Sequence, residues 1–197
     1  VTEIVRMGNI VAETLKESKE VLFTKSEETI KSIKEKESVV DKLSAGITDY
    51  AIKITALQVS EKEHQDVAHL LQVVSDMERI CDYCENISEY AEAMRDKKLE
   101  FSEIATEEIK QMMDVCVESY LYAKEAFFEK NSEKAVKVIE KETLADDLEV
   151  RLRNKHIKRL ANNQCNAETG IFYLDTLVSM ERISDHARNI AEEIMNP

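Results

Sequence analysis

The chain has 197 residues, a formal net charge of -13, 34% charged residues, three Gly, one Pro and no Trp. So acidic a surface repels nucleic acid and anionic lipid as a whole and favours cations or a basic partner. The length allows one domain or two small ones, and the scarcity of breakers favours long helices.

Apolar residues recur at spacings of three and four almost throughout, without strand-like alternation. A first helix reads from about Val1 to Phe23, through Ile4, Met7, Val11, Leu15 and Leu22, and Lys25-Ser26 breaks it. A second runs from about Glu27 to Leu57. Ser60-Glu61-Lys62-Glu63 has the form of a capping box and opens a third, to about Lys97. The order then repeats, with helices from about Ser102 to Lys130, Ser132 to Ala161 and Asn166 to Met195, capped at Asn131-Ser132 and Asn166. The expectation is an all-α protein of six long antiparallel helices, forming two tandem three-helix bundles over residues 1–97 and 98–197.

The chain carries one signature twice. Residues 76–89, Asp-Met-Glu-Arg-Ile-Cys-Asp-Tyr-Cys-Glu-Asn-Ile-Ser-Glu, return at 179–192 with eight of fourteen positions identical, an offset of 103. Residues 35–43 return at 140–148, an offset of 105. Each half therefore holds two Glu-x-x-x-Asp elements: Glu37/Asp41 and Glu78/Asp82, then Glu142/Asp146 and Glu181/Asp185. Residues four apart on a helix share a face about 6 Å apart, so each element sets two carboxylates side by side. Leu174, Leu177 and Val178 precede Glu181 and Asp185 by four or seven residues, as Leu71 and Val74 precede Glu78. Carboxylates in line with a core stripe lose hydration, which is costly unless a cation or donor meets them.

Oxygen-only ligands in multiples suit hard cations such as iron(III), manganese, magnesium or calcium. The other reading is a solvated face: Arg79 and Arg182 stand three residues before Asp82 and Asp185, and Lys36 and Lys42 flank Glu37 and Asp41. Asn86 and Asn189 continue the carboxylate line and could orient it; His186 could add a nitrogen, although the first repeat has Tyr83 in its place. Glu61-Lys62-Glu63-His64, at a helix start, is the only Glu-x-x-His, so a ferritin-like oxidase finds little support. Cys81 and Cys84 lie inside a helical pattern with no second pair to complete a zinc set, and with Cys116 and Cys165 read as small apolar residues in a reducing compartment.

The doubled Met-Glu-Arg-Ile-x-Asp-x-x-x-Asn-Ile, with Glu-x-x-x-Asp on the preceding helix, resembles the PhoU family over the entire chain. The resemblance implies two three-helix bundles and a regulator of phosphate uptake and signalling. It also implies multinuclear metal clusters, iron first and manganese, magnesium, zinc or calcium after it. One cluster would use Glu37, Asp41, Glu78 and Asp82, the other Glu142, Asp146, Glu181 and Asp185. The stretch from His156 to Cys165 and on to Gly170 is similar to the cytoplasmic PhoU-like domain of bacterial sodium/phosphate cotransporters. The chain starts at Val1 rather than Met, which fits a piece of a longer protein whose membrane region precedes it. The implied partners are a phosphate transporter or its membrane domain, a signalling protein or a second copy of the chain, at a cytoplasmic location tethered to the membrane's inner face. Three readings stand at this point: a non-enzymatic, metal-binding regulatory domain, a carboxylate-bridged metalloenzyme, and a metal-free helical scaffold.

Overall fold

Polar caps start the helices where the sequence places them. In the computed structural model, which describes residues 2–56 and 60–195, the Ser26, Ser60, Ser102 and Asn131 side chains accept from the backbone N–H three residues on, and Ser60 and Glu63 complete the capping box. The elements are α1 (Thr2–Thr24), α2 (Glu27–Thr55), α3 (Glu61–Asp96), α4 (Glu103–Glu129), α5 (Ser132–Ala161) and α6 (Ala167–Met195). No strand occurs among the described residues. The expected ends at Val1 and Leu57 lie outside them.

The helix stops have a common device that composition conceals. With only three Gly available, Lys25, Lys98, Lys130 and Asn163 take the left-handed conformation just beyond α1, α3, α4 and α5. Such a residue turns the chain and lets its own or the next N–H satisfy a carbonyl of the last helical turn, as Asn131 N–H does at Ala126 (2.9 Å) and Leu99 N–H at Met94 (2.8 Å).

Each repeat packs its three helices mutually, and the repeats meet through α1, α3, α4 and α6. Among the described residues α2 touches only α1 and α3, and α5 only α4 and α6, so these two stay on the outside. A continuous apolar core joins both repeats, through Met7, Ile33, Met77 and Ile80 in one and Ile109, Met112, Leu148 and Ile183 in the other. Tyr120, fully buried on α4, donates to the Gly8 carbonyl on α1 (3.0 Å). Cys81, Cys84 and Cys116 are buried, and burial pushes all three thiols far up, Cys84 to about 12, so they behave as apolar filler. No helix in the described residues is long and apolar enough to cross a membrane.

Candidate metal centres

The Glu-x-x-x-Asp elements lie where an outer helix meets the last helix of its own repeat. The first face is built on α2 and α3, the second on α5 and α6. One carboxylate oxygen from each of Glu37, Asp41 and Asp82 can be chosen so that all lie within 4.8 Å of one another, and Glu142, Asp146 and Asp185 do the same. Two of the eight expected ligands stand apart from these sets. Glu78 accepts a hydrogen bond from the Ser44 hydroxyl on α2, and Glu181 lies 3.5 Å from Nε of its neighbour Arg182.

The electrostatics favour a cation. Burial, followed by repulsion from Glu85 and Asp41, raises the Glu37 pKa to about 7. Burial also raises Asp82, with Arg79 opposing and Glu78 and Asp41 reinforcing. On the second face burial raises Asp146, helped by Glu142 and Asp185 and opposed by Arg188, and raises Glu181, helped by Asp185. A raised pKa means that the ionised form of these carboxylates is only partly compensated by the protein's own cations. A hard cation would supply the rest, and the all-oxygen donor set fits one.

Flanking groups behave differently from the simple helical expectation. Arg79 does pair with Asp82 (3.4 Å) and Arg182 with Asp185 (3.1 Å). Lys36, expected beside Glu37, instead reaches Glu17 (2.6 Å) and Glu13 (3.7 Å) on α1, because α1 packs alongside α2. Asn189 is not part of the carboxylate face: its Nδ2 donates to Asp76 (3.1 Å), which also meets His186 Nδ1 (2.8 Å) and Gln72 Nε2 (3.1 Å). Asp76 is 2% exposed, and this cluster binds α3 to α6.

Three further residues shape the faces. Glu85 stands one turn beyond Asp82 and crowds Glu37, while Glu149, 5% exposed, stands beyond Asp146, crowds Glu181 and pairs with Arg153. Arg188 bonds Glu142 (2.7 Å) and Glu192 (2.8 Å). Spacings of three and seven from the named carboxylates place all three on the same helix faces, a signal present in the sequence beside the spacing of four.

A family model described as the PhoU domain matches residues 4–91 and 109–194, once in each repeat. The chain belongs to the PhoU family. The phosphate-specific transport system accessory protein PhoU homolog 1 of Thermotoga maritima is 26% identical over 195 residues, covering 98% of this chain and 83% of that protein. A PhoU homolog of Xylella fastidiosa is 24% identical over 195 residues, covering 99% and 81%. The fold matches the crystal structure of PhoU from Pseudomonas aeruginosa with a TM-score of 0.92 at 19% identity, covering 98% of this chain and 92% of that one. The phosphate transport system regulatory protein PhoU from Streptococcus pneumoniae matches with a TM-score of 0.86 at 21% identity, covering 98% and 90%. The all-α PhoU fold is thereby established.

Proposed function

We propose that the chain is a non-enzymatic regulatory domain of phosphate transport whose two carboxylate faces take cations and, so loaded, dock a partner. The observation that carries this is the convergence of Glu37, Asp41 and Asp82, matched at equivalent places by Glu142, Asp146 and Asp185. Family membership and the transport-accessory names of the relatives support the regulatory setting. A bare acidic face on a chain of net charge -13 repels acidic partners. Bound cations reverse the local sign and offer open coordination positions to a carboxylate or phosphate group.

The partner is a phosphate transporter, as a separate protein or as the membrane part of a sodium/phosphate cotransporter to which this chain would be joined. The His156–Gly170 resemblance supports the second form. Glu37, Asp41, Asp82 and, after turning from Ser44, Glu78 hold the first cluster; Glu142, Asp146, Glu181 and Asp185 hold the second. Iron fits the resemblance, and manganese, magnesium, zinc and calcium are the competitors to be tested.

Calorimetric titration of chelator-stripped protein with iron(II), manganese and magnesium tests the site half. Two classes of site are expected, and Glu37→Gln/Asp41→Asn/Asp82→Asn removes one while the matching triple substitution in the second repeat removes the other. Absence of binding, or loss of both classes in either variant, would overturn the reading.

A further inference from the structure

Residues 151–159 read Arg-Leu-Arg-Asn-Lys-His-Ile-Lys-Arg: five cations and no acid within a chain of net charge -13. This stretch is the last part of α5, and beyond it a cavity of about 300 Å³ opens between α5, the start of α6 and the start of α4. His156, Arg159, Ser102, Gln164, Gly170 and Tyr173 are in its wall. It lies about 15 Å along α5 from Asp146, outside the carboxylate faces.

His156 is 3% exposed, its ring stacks on Tyr173 with 4.6 Å between centroids, and neither Nδ1 nor Nε2 has a hydrogen-bond partner. Buried polar atoms are nearly always bonded, so an imidazole with both nitrogens orphaned points to a missing companion. Gly170 makes the placement feasible, since a Cβ there would sit 2.5 Å from Nε2. Burial followed by the nearby Arg159 charge lowers the His156 pKa, which favours the neutral ring, one donor and one acceptor.

Arg159 is also only partly used. Its two Nη atoms bond Glu108 at 3.1 and 2.7 Å, leaving Nε–H and one further N–H on each Nη. Tyr173 Oη donates to the same carboxylate (2.7 Å), and Lys155 lies 3.7 Å from it, so one negative charge faces two cations. Glu100 at the rim is paired with Lys25. The first N–H groups of α6 are already taken by Asn166 Oδ1, at 2.7 Å from Glu168 N and 3.3 Å from Thr169 N, so side chains must supply the contacts.

We propose that this cavity binds a small oxyanion carrying a proton of its own, of the class of hydrogen phosphate or a phosphomonoester. The excess positive charge around Glu108 selects an anion. Whichever imidazole nitrogen faces the cavity is a donor in one tautomer and an acceptor in the other, and a protonated phosphate can meet either. Sulfate at neutral pH only accepts. The site stands whether or not the carboxylate faces bind metal.

Thermal unfolding in chelator, at constant ionic strength, tests it with chloride, sulfate, inorganic phosphate and glycerol phosphate as probes; the chelator keeps the carboxylate faces out of the result. Sulfate controls for the general strengthening of apolar burial by such salts. Phosphate should raise Tm above the sulfate value by roughly 5–10 °C at about a hundredfold excess over Kd. His156→Phe keeps the stacking and removes both nitrogens; it should leave Tm in chloride equal or higher and abolish the phosphate increment. A larger increment with glycerol phosphate assigns the site to a phosphomonoester, and a smaller one to the free ion. Equal effects of phosphate and sulfate, an increment retained in His156→Phe, or a phosphate-grown crystal with only water in the cavity would each overturn the proposal.

Discussion

Glu85 and Arg188 occupy equivalent positions, 103 residues apart, and give the two carboxylate faces opposite surroundings. Glu85 adds negative charge beside Glu37, whereas Arg188 bonds Glu142 and opposes the rise in Asp146. A cation arriving at the second face shares Glu142 with this guanidinium and is repelled by it; the first face has Glu85 at that position. Arg188→Gln should therefore strengthen manganese binding at the second face about tenfold, and Glu85→Arg should weaken the first by a similar factor. Titration calorimetry of the two variants checks both, and opposite signs would remove the assigned roles. Glu37 carries the matching pH dependence. Its pKa of about 7 lies above the unfolded value of 4.5, so the folded metal-free protein binds this proton more tightly than the unfolded chain. The contribution is fully present below about 4.5 and is lost as pH rises through about 7. The Tm of metal-free protein should fall across that window, less so in Glu37→Gln, while metal affinity should rise across it because the cation displaces the proton.

Each helix end is set by a local choice, and these choices differ in how readable they are. Ser60 with Glu63 announces α3 by spacing alone, and Asn131 announces α5. The left-handed Lys25, Lys98 and Lys130 have no such signature, because lysine is an ordinary helix residue until the chain must turn. The Lys130 ammonium makes no ion pair or hydrogen bond among the described residues, and Gly would keep the backbone N–H bond to Ala126: its replacement by Gly should stabilise the protein by about 0.5–1 kcal/mol, read as a Tm increase of about 1–4 °C. Lys25→Gly should lose that benefit, since the Lys25 ammonium bonds the Leu99 carbonyl (2.7 Å) and Glu100. Hydrophobic spacing shows which side of each helix faces inward, and hence made the carboxylate elements visible. It cannot show that Ser44 on α2 reaches Glu78, or that Lys36 turns to Glu17, because those contacts depend on which helix lies alongside. Glu85, Glu149 and Arg188 were within reach of the same periodicity, whereas the orphaned His156 is visible only once Gly170 and Tyr173 close around it.

At the scale of the molecule, Asp76 joins the repeats, holding His186 and Asn189 of α6 from α3. Its equivalent in the second repeat is Ser179, whose hydroxyl meets Tyr90 at 3.4 Å. Asp76→Ser would make the repeats alike here and take from the half-buried His186 and Asn189 and the exposed Gln72 their shared acceptor, an expected cost of about 2 kcal/mol and about 6 °C in Tm. Denaturant unfolding of that variant measures it, and a change within error would remove the cluster from the forces joining the repeats. Tyr83 and His186 are themselves equivalents, and their rings stack at 5.9 Å, so the pseudo-two-fold axis runs between them. Two first repeats placed about that axis would set Asp76 toward Tyr83, and two second repeats would set Ser179 toward His186. Only unlike halves bring carboxylate to imidazole. A contact that a symmetric pair would make twice has become a lock and a key held on one chain, and a preference of each half for the other over a copy of itself is the expected consequence.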